Sequence, residues 1–362
     1  MLLRTPSDCF DLSRDDLGAG KLGADAAVNT AAIQLAQDRH GFKLDSSTRV
    51  KKPIYIPPGI WTIHELILGV DDAHTAARAG LQILTGGGTG VGSNYNALYQ
   101  QMGNITRLMY VGTKGDGEAA ITYNGAGLWL GPMELCGITL ATAGPGGDYE
   151  DRDNKQKTPT GIRITSLNTG GVPNGRIQSA GLMLQGFSKG IEVYQSDTGG
   201  NNDNLYWHFL DFDTCTVGYE CNSAQSVTHQ IDKVHTGFYV GTLFKFVKGG
   251  DLHCYSAQIN CPNCTILDLS GMTYHENYGN FEVRNVRLDN VADNPVLLKL
   301  SAYAGKPRNV VITGTIGGDF TYTAADLVQG ENAADRIFIR FTGPSQAVTD
   351  FNGQSTVDEA PF

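Results

Sequence analysis

The chain has 362 residues, 37 acidic against 27 basic for a net charge of −10, and only 18% of its residues are charged. Such a surface repels a polyphosphate, which excludes nucleic acid as an expected partner, and no apolar run is long enough to span a bilayer, which excludes membrane insertion. Glycine at 46 residues and seven cysteines point to many tight turns and to folding in a reducing compartment, since an odd number of thiols does not pair completely.

Residues 1–22 read as a polar, glycine-containing arm that docks elsewhere. The first residues hold no apolar run of signal-peptide length, so export by that route is not expected. Asn29 to Asp38 predicts a short amphipathic helix, capped by Asn29 or Thr30 and contributing Ile33, Leu35 and Ala36 to a contact. A helix here closes the open end of a stack of strands, which otherwise exposes unpaired edges. Lys52 to Ile63 reads as strand, Pro-Pro-Gly turn, strand. Gly86-Gly-Gly-Thr-Gly-Val-Gly-Ser lacks both the dinucleotide spacing and the Walker lysine, and reads as a turn or loop leaving an early coil. Strands are expected at Ile105 to Val111, Ala120 to Tyr123, Leu128 to Leu130 and Ile138 to Ala141. From Thr160 they become regular, at Gly161-Ile-Arg-Ile, Gly181-Leu-Met-Leu and Gly190-Ile-Glu-Val.

Four later segments overlay one another, beginning at Leu205, Val227, Leu252 and Phe281, with starts 22, 25 and 29 residues apart. Each is followed by a second apolar run, at Val217 to Cys221, Leu243 to Val247, Cys264 to Leu269 and Val296 to Leu300. Short strands recurring every 20 to 30 residues or so between Gly, Asn and Asp are the pattern of an all-β parallel solenoid, whose rungs bury apolar side chains by stacking. The expected organisation is an arm (1–22), a capping helix and lead-in (23–50), a parallel β-helix (51–343) and a short polar tail (344–362).

Gly23-Ala-Asp-Ala-Ala-Val-Asn-Thr-Ala-Ala-Ile-Gln, followed by Ile54-Tyr-Ile-Pro-Pro-Gly-Ile-Trp-Thr-Ile, resembles the N-terminal signature of the pectate-lyase-like superfamily. Its usual Gly-Asp-Gly and following Asp-Asp-Thr are replaced here by Gly23-Ala24-Asp25 and Val28-Asn29-Thr30. The resemblance implies a right-handed parallel β-helix of the kind found in polysaccharide lyases, glycosidases and many bacteriophage tailspikes. It leaves two classes open, of which the lack of a signal peptide and of a transferable catalytic set favours the first: a virion component of a phage tail, assembled in the host cytoplasm as a homotrimer, that touches a bacterial surface polysaccharide or simply builds the tail with other tail proteins. The alternative is a secreted polysaccharide lyase or glycosidase. No catalytic set of that superfamily carries over residue by residue, so activity stays open.

From the residues themselves, the carboxylates that could perform acid and base chemistry are Asp211, Asp213 and Asp232. Asp232 lies 21 residues beyond Asp211, a spacing that places it one coil above, where like charges raise one pKa; the competing reading is that these aspartates cap turns or sit in solvent. Glycan contact is expected from Tyr206, His208, Tyr274, His275, Glu276 and Tyr278, since an aromatic face packs on the apolar side of a pyranose. Trp207 shares its parity with Leu205 and Phe209 and belongs to the core. His208, His229, His253 and His275 recur near the coil length, but strand alternation turns His229 inward and His253 outward, which argues against a ladder. Cys261-x-x-Cys264 is a single thiol pair. Asp148, Glu150, Asp151 and Asp153 sit in a loop without the glycine of a calcium-binding turn. No metal or cofactor is expected.

Overall fold

The computed structural model describes residues 10–12, 23, 25–40, 53–69, 82–86, 106–111, 118–124, 128–137, 159–165, 174–175, 177–194, 202–223, 226–237, 239–272, 279–289, 295–301, 307–316, 328–330, 335–342 and 349–352. They form an all-β parallel β-helix with one helix at its start. A 17-stranded sheet and a 9-stranded sheet wrap the same core.

The wide sheet runs as two columns. Its leading column holds Ile54–Ile56, Gln82–Gly86, Leu128–Leu130 and Ile177–Ser179, and its trailing column holds Gly59–Ile63, Thr106–Tyr110, Met133–Cys136 and Leu182–Gln185. Further along, Leu205–Asp213, His229–Thr236, Asn280–Leu288 and Asn309–Ile316 each cross both columns in one strand. The second sheet stacks Leu66–Gly69, Ala119–Asn124, Thr160–Thr165, Lys189–Tyr194, Cys215–Asn222, Val240–Phe246, Thr265–Asp268, Val296–Lys299 and Val328–Gln329. All these neighbours pair in parallel, about 4.8 Å apart as in any sheet.

Parallel stacking puts like positions over one another, so one inward residue per strand builds a column of core. Ser179, Trp207, Ile231, Cys254, Val283, Ile312 and Ile339 form one such column, and Leu205, His229, Leu252, Phe281, Val310 and Ile337 form the next. Nearly all are fully buried, and each buried aliphatic side chain contributes roughly 1.5–3 kcal/mol. The sequence alignment therefore needs one correction. His229, not Val227, stands over Leu205, a slip of two that preserves inward parity and so leaves the apolar pattern unchanged. Trp207 is core, as its parity requires, and packs edge-on against Tyr219.

The helix spans Ala26–His40 and begins before the expected start. Its cap is Asp25, whose Oδ1 accepts from the amides of Ala27 (2.7 Å) and Val28 (3.3 Å). Asn29 and Thr30 do something else. Asn29 Nδ2 donates to the Thr62 carbonyl, Thr30 Oγ1 accepts from the His64 amide, and Gln34 both donates to the Ile67 carbonyl and accepts from the Ile67 amide. These side chains supply the first coil's edge with the partners a preceding strand would have given it. Ala32, Ile33 and Ala36 are buried beneath, while Leu35 is only half-buried. Phe10–Asp11 adds a parallel strand to Ile54–Ile56, so part of the arm docks on the leading column. At the far end Thr349–Asn352 pairs antiparallel with Arg336–Thr342 and covers the last wide-sheet edge.

The Pro57-Pro58-Gly59 turn separates its two strands as expected, with Gly59 at φ 143, a conformation open to glycine. The expected strand at Ile138 to Ala141 lies outside the described residues, while Met133–Cys136, not foreseen, supplies the trailing column. Among the described residues, no helix is long and apolar enough to cross a membrane.

Candidate functional site

Two groups of polar side chains project from the outer side of the wide sheet between Leu205 and Asp289. The first opens to solvent at His208 and Tyr255. Along the first half of Leu205–Asp213 the inward residues are Leu205 and Trp207, so Tyr206 and His208 point out; further along they are Leu210 and Phe212. Asp232, on the next strand, accepts from Tyr206 Oη at 2.5 Å through Oδ2, and the same oxygen lies 2.8 Å from His208 Nδ1. The Tyr206 and His208 rings meet edge to face at 5.0 Å. The hydrogen bond to Asp232 first, then burial and the charges of Asp232 and Tyr255, push the Tyr206 phenol up to about 12, so it stays protonated. His208 is 51% exposed, and its Nε2 has no protein partner among the described residues. Tyr255, 46% exposed, stands one coil further, where its amide continues the ladder from Ile231. His253 and Glu282 extend the outward row, with His253 Nδ1 3.6 Å from Glu282 and Arg284 bonding the same carboxylate.

The second group lies on the trailing column, outward of the coil yet almost fully buried. Asp211 and Asp213 are each 2% exposed. Asp211 accepts from His235 Nδ1 at 2.8 Å, and His235 Nε2 lies 2.7 Å from Asn260 Nδ2. Asp213 accepts from Gln185 Nε2 at 3.5 Å and from Thr214 Oγ1 at 3.2 Å, while Cys136 Sγ donates to Gln185 Oε1. Two and three coils back, Glu134 and Arg107 form an ion pair at 2.6 Å on the same row. Burial alone would lower the His235 pKa. The hydrogen bond to Asp211 and the charges of Asp211 and Asp213 outweigh it, against a smaller opposing effect of Lys233, and hold the imidazole above its ordinary value. Thr214 takes φ 53 immediately after Asp213, a conformation that costs a β-branched residue roughly 1–3 kcal/mol.

The structure thus separates the three aspartates. Asp211 and Asp213 share one strand face, but Asp232 does not stack on Asp211. The residue opposite Asp211 is His235, and Asp232 stands by His208. A 21-residue offset missed this because the true register steps by 24 at these positions. No histidine ladder forms among the described histidines: His229 is inside, with His208 and His253 outside. Buried His229 is held between Tyr219 Oη at 2.8 Å and Ser226 Oγ at 2.5 Å. Since the Ser226 hydroxyl donates to the Asn202 carbonyl, its oxygen accepts from His229 Nε2, and Tyr219 donates to Nδ1. Burial depresses His229 to about 3, so it is neutral.

Tyr274, His275, Glu276 and Tyr278 lie outside the described residues, as do the four carboxylates of the 148–153 loop. Tyr255 and His235 were not singled out from sequence. Tyr255 sits at a bend, where alternation gives no direction, and His235 becomes notable only once register sets it opposite Asp211. Among the described residues, no three His, Cys, Asp or Glu side chains are arranged to hold a metal ion. Comparison of the chain with protein families, curated proteins and solved structures gave no match.

Proposed function

We propose that this β-helix contacts a bacterial surface glycan through the outer face of its wide sheet, in the manner of a phage tail component. The observation that carries the reading is the outward group of exposed His208 and Tyr255 with half-buried Tyr206 and Asp232. Ring faces suit the apolar side of a pyranose, and a fixed carboxylate and imidazole beside them suit its hydroxyls. Asp232 already holds Tyr206 and His208 in place, so little side-chain freedom is lost on binding. The resemblance of the 23–63 region to the pectate-lyase-like superfamily, which includes bacteriophage tailspikes beside lyases and glycosidases, supports a β-helix of that kind, and our reading takes it as a homotrimer that joins other tail proteins in the virion.

A second reading is glycan cleavage, as in a polysaccharide lyase or glycosidase. Its supporting observation is the Asp211 and Asp213 pair beside His235, two carboxylates on one strand face with an imidazole partner. Their near-complete burial favours binding over cleavage. The test is to incubate the purified protein with capsular polysaccharide and lipopolysaccharide and to follow retention and oligosaccharide release together. Retention without release supports the binding reading. Release that is lost in Asp213→Asn moves the function to cleavage, and the absorbance of an unsaturated sugar would mark a lyase. Neither retention nor release refutes both.

A further inference from the structure

Cys261-Pro262-Asn263-Cys264 belongs to neither of these groups. It forms the bend that carries the chain from Ala257–Ile259 in the trailing column to Thr265–Asp268 in the second sheet. Pro262 presets the first central position of the turn, and Asn263 takes the left-handed conformation at φ 54, the pairing a type II turn asks of its central residues. Such a turn brings its end Cα atoms within about 7 Å, and a disulfide spans Cα separations of roughly 4.4–6.8 Å.

Both cysteines belong to the buried core, and their thiols interact. The neighbouring Cys264 thiol holds the Cys261 pKa down against burial, and Cys264 is raised in return, while Cys264 Sγ itself lies 3.6 Å from the Thr265 carbonyl. Cys261 Sγ also lies 3.3 Å from Thr236 Oγ1. Cys136, Cys215, Cys221 and Cys254 differ, since burial pushes each up to about 12. Asn263 is exposed and Pro262 half-buried, so one turn of backbone separates the thiol pair from solvent.

We infer that Cys261 and Cys264 are a dithiol that closes to a disulfide within its own turn and pins the bend between the two sheets. With a small disulfide as oxidant, the Cys261 thiolate attacks one sulfur and expels a thiol. The Cys264 thiolate then attacks Cys261 and expels the second. Two S–H bonds are lost and one S–S bond forms, and the oxidant takes both electrons and both protons.

The test treats the reduced full chain with oxidised glutathione, alkylates free thiols under denaturing conditions and maps the peptides by mass. The expected result is that the peptide holding Cys261 and Cys264 escapes alkylation and is lighter than its reduced form by about 2 Da, the two hydrogens of a two-electron couple. Cys136, Cys215, Cys221 and Cys254 remain alkylated. Complete alkylation of Cys261 and Cys264, or pairing of either with another cysteine, overturns the inference. Because the readout is on the unmodified sequence, it does not depend on whether a serine variant folds.

Discussion

Outward charges on the second sheet are used up by one another, whereas the outward row of the wide sheet at Tyr206, His208, Asp232 and Tyr255 keeps ring faces and an imidazole nitrogen available. On the second sheet Arg163, Glu192, Glu220, Lys245, Asp268 and Lys299 stack one per strand. Glu192 and Glu220 would repel, but Lys189 reaches both, Arg163 pairs with Glu192, and Lys245 pairs with Glu220. Although burial alone would raise Glu192, Lys189 and Arg163 lower it. A parallel coil repeats every outward position on the next rung, so any charge must be answered within its column or left to a ligand. The second sheet answers its charges; the wide sheet leaves part of its surface for contact.

The difference is sharpest under substitution. Lys189→Met leaves two nearly buried carboxylates face to face with only Arg163 and Lys245 to offset them, and is expected to cost about 3 kcal/mol, the lower end for removing one partner from a buried ion pair. Urea unfolding measures that loss, and glycan retention by the folded fraction should not change. Trp207→Ala, one residue from Tyr206 but inside the coil, is expected to cost about 3 kcal/mol. If Trp207→Ala weakened glycan retention in folded protein more than Tyr206→Ala, the division between inner and outer faces would fail.

Two histidines of one strand give the comparison a pH signature. His229, inside, has a folded pKa of about 3 against an unfolded value of about 6.5. Below that upper value the unfolded chain takes the proton and the folded one does not. Stability should therefore fall as pH drops from 6.5 or so toward 3, by about 1.4 kcal/mol per unit. His235, outside, is raised by Asp211 and Asp213. Its contribution has the opposite sign, fully present below about pH 6.5 and lost as pH rises through its folded value. Unfolding midpoints across pH should lose the acid slope in His229→Phe and the alkaline slope in His235→Gln. Tyr206→Phe, which removes only the hydroxyl given to Asp232, is the smallest change, at about 1 kcal/mol or less.

Much of the coil was legible because inward positions announce themselves. Leu205, Leu252 and Phe281 were placed correctly, and Trp207 was assigned to the core by parity with Leu205. Register was harder, because a slip of two residues keeps every apolar side chain inward, so Val227 stood in for His229 and Asp232 was set over Asp211. The helix cap was misread for a related reason. Asn29 and Thr30 are cap-type residues, yet their polar groups serve the edge of the first coil, a use visible only once Thr62 and His64 are in place. Of the site, alternation from Leu205 and Trp207 could tell which side of a strand Tyr206 and His208 face, but it would turn Asp211 inward, because the inward phase shifts between Trp207 and Leu210. It could not tell that Asp211 and Asp213 would be buried on the outer side while Tyr206 and His208 stayed open.

The most direct test is the affinity of the purified protein for bacterial capsular polysaccharide, compared with that of a Tyr206→Ala/Tyr255→Ala double variant. Each ring is expected to be worth about tenfold, so the variant should bind roughly a hundredfold more weakly while unfolding at nearly the same urea concentration. Equal affinity in the two proteins would contradict the assignment of glycan contact to this face.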